Sequence, residues 1–258
     1  SCIDIDECSL NEQICSQKCE NSVPGFQCFC SKGYRMRADQ RRCKALGPEQ
    51  VIMFANRLDI RKVSLAKHEY TSVLSNLQNA VSIDYHYRME IIFWSDITQD
   101  AILSASFNGT NIKTIVNAGL ISPGGIAVDW IGNRLFWTDS GTSRIEFSNL
   151  DGSMRKVLFW KSLEKPRAIV TSPEESAIYW TDWGQQPRIE KASMDGTGRR
   201  SVIETSLFWP NGITIDHPSY KIYWVDAKHH IIESANLDGT NRKVIVEGNN
   251  SSFANFFN

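Results

Sequence analysis

Beyond residue 50 the chain reads as a succession of short apolar segments bounded by turn residues, the pattern of strands. A β-branched segment follows a Pro- or Gly-containing turn in ISPGGIAVDW (121–130), EKPRAIVTSP (164–173) and WPNGITIDHP (209–218). An aromatic strand ending in Asp comes next: FWSD (93–96), FWTD (136–139), YWTD (179–182) and YWVD (223–226). A third segment follows, such as SRIEFSNL (143–150) or PRIEKASM (187–194). Then come Asn108-Gly109, Asp151-Gly152, Asp195-Gly196 or Asp238-Gly239, and a basic-apolar segment such as MRKVLFW or NRKVIV. Those dipeptides predict primed two-residue hairpin turns. No helical period competes over a long window.

The aromatic motifs recur at steps of 43, 43 and 44 residues. Four short strands per repeat at that period predict the blades of an all-β propeller. Within a motif, alternate side chains take opposite faces, so Tyr179 shares one face with Thr181, and Trp180 shares the other with Asp182. A blade has neighbours on both sides, so both faces can bury their aromatics. The carboxylate is then the odd member, because a buried charge needs partners. It is expected to accept hydrogen bonds from a neighbouring blade or loop, which makes the four Asp residues inter-blade clamps. Their identical repetition argues against four catalytic acids. Trp183 follows the Asp only in the third motif and is a candidate for touching a partner. Trp160 and Trp209 are expected in the core.

The composition changes this picture at the N-terminal end. The chain has 258 residues, is 41% hydrophobic and has a net charge of −1, enough for one large domain and a small one. Near-zero charge gives no electrostatic case for nucleic acid or a membrane surface. No apolar run approaches the ~18 residues of a membrane span, and no signal peptide opens the sequence. All seven cysteines lie between Cys2 and Cys43. A short segment dense in cysteine is too small to bury a sufficient core and is stapled instead, which points to an oxidising, extracellular setting. Cys28-Phe29-Cys30 is closer than zinc-ligand spacing allows. Six cysteines permit 15 connectivities. The expected boundaries are a remnant of a preceding module at 1–3, the cysteine-rich module at 4–43, a Gly-Pro linker at 44–49 and the propeller from 50 to 258.

Cys8, Cys15, Cys19, Cys28, Cys30 and Cys43 have the spacing of an EGF-like module, and YWTD repeats behind it resemble the low-density lipoprotein receptor family. The resemblance covers essentially residues 3–247. CKALGPE, FANRLDIR, SPGG, WTDSGTSRIE, SLEKPRAI, YWTDWG, LFWPNG and NLDGTNRK are most similar to its agrin-receptor branch, with the Wnt co-receptors as the near alternative. The resemblance implies Cys8–Cys19, Cys15–Cys28 and Cys30–Cys43, with Cys2 left over. Asp4-Ile5-Asp6-Glu7-Cys8 resembles the calcium-binding subset. It implies a Ca²⁺ cage of Asp4, Glu7, Asn21 and the carbonyls of Ile5, Ser22 and Gly25, in keeping with the six to eight oxygens that calcium takes. The same pattern implies hydroxylation of Asn21. Family propellers have six blades; here the repeats fill about five, so a six-bladed-type propeller truncated at its C-terminal end is expected.

The family binds ligands on the top face near the central channel. One mode inserts an Asn-x-Ile or Asn-x-Val loop, and its residues carry over here to Asn211 of WPNG, Arg167 of PRAI, Ser122 of SPGG and Ile97. Gln78-Asn79 and Gly141 stand where the Wnt co-receptors have acids, so a less acidic pocket is expected. Asn108-Gly-Thr110, Asn249-Asn-Ser251 and Asn250-Ser-Ser252 are glycosylation sequons. The implied molecule is a non-enzymatic, ligand-binding fragment of a cell-surface receptor. It is the extracellular part of a single-pass plasma-membrane protein, or a secreted piece of one, acting at synapses or in Wnt regulation. Implied partners are an agrin-like protein or Wnt antagonists of the sclerostin and Dickkopf type, with a co-receptor kinase beside them. The alternative is a purely structural module, or an endocytic one that releases ligand.

Overall fold

The computed structural model describes residues 5–10, 14–46, 51–65, 67 and 69–248. Cys2, Asp4, Asn249, Asn250 and the linker residues 47–49 lie outside them. Two units result, one of residues 1–50 with 216–220 and one of residues 51–215 with 221–258. Among the described residues no helix is long and apolar enough to cross a membrane.

The head has a single helical turn, Glu7–Leu10, and two hairpins: β1 (Lys18–Asn21) with β2 (Phe26–Phe29), and β3 (Tyr34–Met36) with β4 (Cys43–Ala45). Disulfides join Cys8 to Cys19, Cys15 to Cys28 and Cys30 to Cys43. Cys15 and Cys28 are its only buried apolar residues among those described, so crosslinks stand in for a core.

The propeller unit is a set of antiparallel meanders. Blade 1 has three strands: β5 (Val51–Asn56), β6 (Asp59–Ser64) and β7 (Tyr70–Leu74). Blade 2 has four: β8 (Ala80–His86), β9 (Ile91–Asp96), β10 (Ala101–Ser106) and β11 (Lys113–Val116). Blade 3 is β12 (Pro123–Asp129), β13 (Arg134–Asp139), β14 (Arg144–Asn149) and β15 (Lys156–Phe159). Blade 4 is β16 (Pro166–Ser172), β17 (Ala177–Asp182), β18 (Arg188–Ser193) and β19 (Arg200–Ile203). Blade 5 is β20 (Pro210–Asp216), β21 (Lys221–Asp226), β22 (Ile231–Asn236) and β23 (Lys243–Glu247).

The core lies between blades rather than within one. Phe136, Ile145 and Phe159 of blade 3 pack with Ile169, Trp180 and Met194 of blade 4. Tyr179, Ile189 and Ile203 of blade 4 pack with Ile215, Trp224 and Leu237 of blade 5. In every motif, then, the Trp faces the preceding blade, while Phe93, Phe136 and Tyr179 face the following one. Trp94, Trp137 and Trp180 are fully buried, each worth several kcal/mol by area. The outward face of blade 5 differs. Val246 is 37% exposed, whereas Val116, Phe159 and Ile203 at the same register are 6%, 9% and 5% exposed.

The turns between third and fourth strands correct the primed-turn expectation. Only the glycine has positive φ, +84° at Gly152, while Asp151 does not. The Asp151 carboxylate instead accepts from the Ser153 N–H (2.9 Å) and hydroxyl (2.6 Å), which holds the first residue in an ordinary turn followed by a left-handed glycine. A Cβ on Gly152 would overlap the Ile115 carbonyl of blade 2, so close blade approach also demands glycine.

Candidate ligand site at the mouth of the central channel

In blades 2 to 5 the first strand starts, and the second ends, at one face of the propeller, called the top here. Each motif Asp sits there, fully buried. Asp139 accepts from the backbone N–H groups of Ile121 (2.9 Å), Ser122 (3.1 Å), Gly141 (2.9 Å) and Thr142 (3.0 Å). Asp96 does the same for Gln78, Asn79, Thr98 and Gln99, and Asp226 for Phe208, Trp209, Lys228 and His229. Asp182 holds Glu164, Lys165 and Gly184. The donors are thus the segment that enters the blade from its predecessor and the turn after the Asp. Burial alone would raise the Asp96 carboxyl, but the N–H groups of Asn79, Gln99 and Thr98 bring it below its usual value. In blades 2 and 3 the residue before the Asp also bridges to the next blade: Ser95 Oγ donates to the Gly124 carbonyl (2.7 Å) and Thr138 Oγ1 to the Arg167 carbonyl (2.6 Å). Val225 occupies that position in blade 5 and makes no such bond.

These clamps fix the residues that surround the channel. Its cavity of about 470 Å³ is lined by the innermost strand of all five blades, including Ser82, Asp84, Arg167, Asn211 and Thr214. Arg167 and Asn211 are each the second residue of their strand, so they reach the cavity from adjacent blades at the top. Among the described residues neither side chain has a hydrogen-bond or ion-pair partner. Burial lowers the Arg167 pKa below its ordinary value. Deeper in, Asp84 accepts from Val128 N–H of blade 3 (2.7 Å) and Tyr85 N–H (2.8 Å), and desolvation raises its carboxyl to about 6.

The other sequence-derived candidates stand on the rim and do not line the cavity. Ile97 N–H donates to the Asn79 carbonyl (3.1 Å), and the Ser122 carbonyl accepts from Ser140 N–H (3.1 Å). Trp183 is half-buried, its indole nitrogen has no acceptor among the described residues, and Lys165 Nζ lies 5.0 Å from its ring centroid. A Cβ on Gly141 would overlap the Ile121 side chain, so an acid at that position requires a rearranged rim.

Two tryptophans depart from expectation. Trp160 and Trp209 are not core residues; they are 60% and 40% exposed. Both lie in segments between blades, past the strand positions that have neighbours on both sides. A lysine lies over each ring, Lys161 at 5.9 Å and Lys228 at 5.4 Å, and Phe208 stands edge-on to Trp209.

A second repeated device escaped the sequence reading. Arg155 makes a two-pronged ion pair with Glu146 (2.8 and 3.0 Å), donates to the Ala118 carbonyl and stacks 5.4 Å from the Trp137 ring. Arg199 with Glu190 and Trp180, and Arg242 with Glu233 and Trp224, repeat it. The detectable signal was a Glu-to-Arg spacing of nine residues recurring at the blade period. Blade 2 has Leu103 and Ile112 at these two positions instead.

In the head, Glu7 Oε2 is buried and, among the described residues, has no hydrogen-bond donor, as an oxygen kept for a cation would be. The Gly25 carbonyl accepts from Ser22 N–H (2.7 Å) and Ser22 Oγ (3.2 Å), which closes the loop that carries Ser22 and Gly25. The donor set is all oxygen, the chemistry calcium prefers. Among the described residues no three His, Cys, Asp or Glu side chains cluster as a metal group.

Comparison with known proteins fits this architecture. The low-density lipoprotein receptor repeat class B matches residues 90–130, 133–170, 176–217 and 220–255, and the calcium-binding EGF domain matches residues 4–43. Low-density lipoprotein receptor-related protein 4 of Mus musculus is 60% identical over 281 residues, covering 93% of this chain, and that of Homo sapiens is 59% identical. The chain spans 15% of the length of these relatives. Low-density lipoprotein receptor-related protein 5 of Homo sapiens is 46% identical over 50% of the chain and 8% of that relative. A solved nidogen/laminin complex contains a chain 37% identical, with a TM-score of 0.73, covering 77% of this chain and 78% of that one. With class B repeats over more than half its length and a calcium-binding EGF domain before them, this chain belongs to the low-density lipoprotein receptor family.

Proposed function

We propose that the propeller's top face receives an extended loop of a protein ligand, of the agrin type with an Asn-x-Ile or Asn-x-Val core. The observation that carries this reading is the pair of unpartnered polar side chains, Arg167 and Asn211, converging on the channel mouth from adjacent blades. Each is half-buried in the cavity wall, where a ligand amide and carbonyl can supply the hydrogen bonds that the fold does not. Ile97, Ser122 and Trp183 form the rim, and exposed Trp209 and Phe208 extend its apolar contact. The similarity to a chain of a nidogen/laminin complex supports a protein as the ligand class. The relatives are receptors by name, which supports an extracellular, membrane-anchored context and a binding rather than catalytic role.

In the head, Glu7, Asn21 and the carbonyls of Ile5, Ser22 and Gly25, with Asp4, would hold Ca²⁺, which supplies rigidity there rather than chemistry. Asn21 is the assigned hydroxylation position. Asn108, Asn249 and Asn250 are the assigned glycan positions. Asn108 Oδ1 is engaged by Thr110 N–H and Oγ1, in an exposed turn that leaves the amide nitrogen outward.

Calorimetry with a folded ligand fragment bearing an Asn-x-Ile loop tests the reading. Saturable one-to-one binding is expected, weakened at least about tenfold, or 1.4 kcal/mol, when the loop Asn becomes Ala. Equal affinity for both fragments, or none for either, overturns it.

A further inference from the structure

A dense run of positive charge lies in the head. Between Lys32 and Lys44 the sequence places Lys32, Arg35, Arg37, Arg41, Arg42 and Lys44 against one acid, Asp39, in a chain whose net charge is −1. The hairpin register sets Arg35 opposite Lys44 and Met36 opposite Cys43. Arg37 N–H donates to the Arg42 carbonyl (2.7 Å), so these two continue the ladder. Strand alternation then puts Arg35, Arg37, Arg42 and Lys44 on one face, and Met36 and Cys43 on the other. All four cations are exposed, and with Asp39 they line a shallow depression of about 650 Å³.

Nothing in the fold requires this arrangement. Like charges directly opposite each other weaken a strand pair, and a two-stranded hairpin has little stability to lose. Asp39 offsets only one of the four. Its Oδ2 pairs with Arg42 Nε (2.5 Å), while Oδ1 caps the turn through the N–H groups of Arg41 and Arg42 (3.0 Å each). Among the described residues Arg35, Arg37 and Lys44 have no acidic partner. Arg41 is drawn away, over the Phe26 ring at 5.4 Å.

We propose that this face of the β3–β4 hairpin binds a sulfated polysaccharide of the glycosaminoglycan class through Arg35, Arg37, Arg42 and Lys44. The cations repeat at about 5 Å across the strands and about 7 Å along them, a spacing that suits a chain of repeated anions better than a single phosphate. The three disulfides put the module in an oxidising, extracellular setting, where sulfated polysaccharides are the abundant polyanions. The depression offers no large exposed apolar side chain to insert into a bilayer, which disfavours a lipid surface. The site is separate from the channel mouth and does not rest on the ligand proposed there.

The test uses the full chain and immobilised heparin as the probe. Binding is expected to weaken linearly with the logarithm of salt concentration. The triple variant R35Q/R37Q/K44Q should bind at least about tenfold more weakly with a shallower salt slope. The charge-retaining R35K/R37K should stay within about threefold of wild type, which separates lost charge from lost folding. K113Q/K156Q/R200Q removes the same charge from exposed propeller strands and should change affinity less than about twofold. Absence of binding at physiological salt, or equal weakening by the propeller variant, overturns the site. Equal affinity for desulfated heparin, for phosphatidylserine vesicles or for a polyglutamate peptide overturns the polysaccharide assignment.

Discussion

The head and the propeller solve the same problem in opposite ways. Three disulfides hold the head, whose only described buried apolar residues are two of the bridged cysteines. The propeller unit has no cysteine and rests on aromatic layers repeated between blades. A crosslinked module can tolerate a polarised, self-repelling surface, because its fold does not depend on that surface. A repeat protein is different: each residue that obeys the repeat has a packing role, so functional residues are found among those that depart from it.

The comparison breaks first at the core. Trp180→Ala removes an indole buried between blades 3 and 4 and should destabilise the propeller by about 3–5 kcal/mol in denaturant titration. Reduction of the disulfides should unfold the head, at a cost of about 2–5 kcal/mol per bridge, without moving the propeller's transition. A shift of both transitions by either perturbation would show that the two units are not held separately.

Next in size is the clamp. Asp139→Ala strands four backbone N–H groups at the top of blade 3 and should cost about 3 kcal/mol. A loss below about 1 kcal/mol would reduce the motif Asp to decoration. The Glu–Arg pair should matter less. Blade 2 has Leu103 and Ile112 there, so the pair Glu190→Leu with Arg199→Ile should fall within about 1.5 kcal/mol of wild type, while Arg199→Ile alone should cost more by leaving Glu190 unpaired.

The smallest effect is a titration. The folded-state pKa of Asp84, about 6, is above its ordinary 3.8. Its contribution to stability is therefore complete below 3.8 and is lost as pH rises through about 6. The amide of Val128, bonded to this carboxylate, should report a midpoint near 6 by NMR. A midpoint near 4 would place the carboxyl in ordinary solvent.

Much of the fold was legible because one signal dominates: aromatic motifs at a fixed step leave few architectures open. The position of Arg167 and Asn211 was legible for the same reason, since equivalent residues in a propeller meet at equivalent points of the channel. What failed depended on details a repeat does not encode. Trp160 and Trp209 were assigned by residue type, but the segments between blades give an indole no second neighbour. The Asp-Gly turns were assigned by dipeptide, but the hydroxyl two residues beyond each Asp selects another geometry. Trp183 falls between these cases, half-buried under Lys165 at the rim. The basic hairpin was invisible in the overall charge and emerged only from cross-strand register.

The division between repeated scaffold and departing site residue is tested most directly by measuring melting temperature and ligand affinity together for Asn211→Ala. Among the described residues the Asn211 side chain has no hydrogen-bond partner, so melting should stay within about 2 °C of wild type, while affinity for an Asn-x-Ile loop ligand falls at least about tenfold. Unchanged affinity, or a loss of affinity matched by a loss of stability, would contradict the assignment of the channel mouth as the binding site.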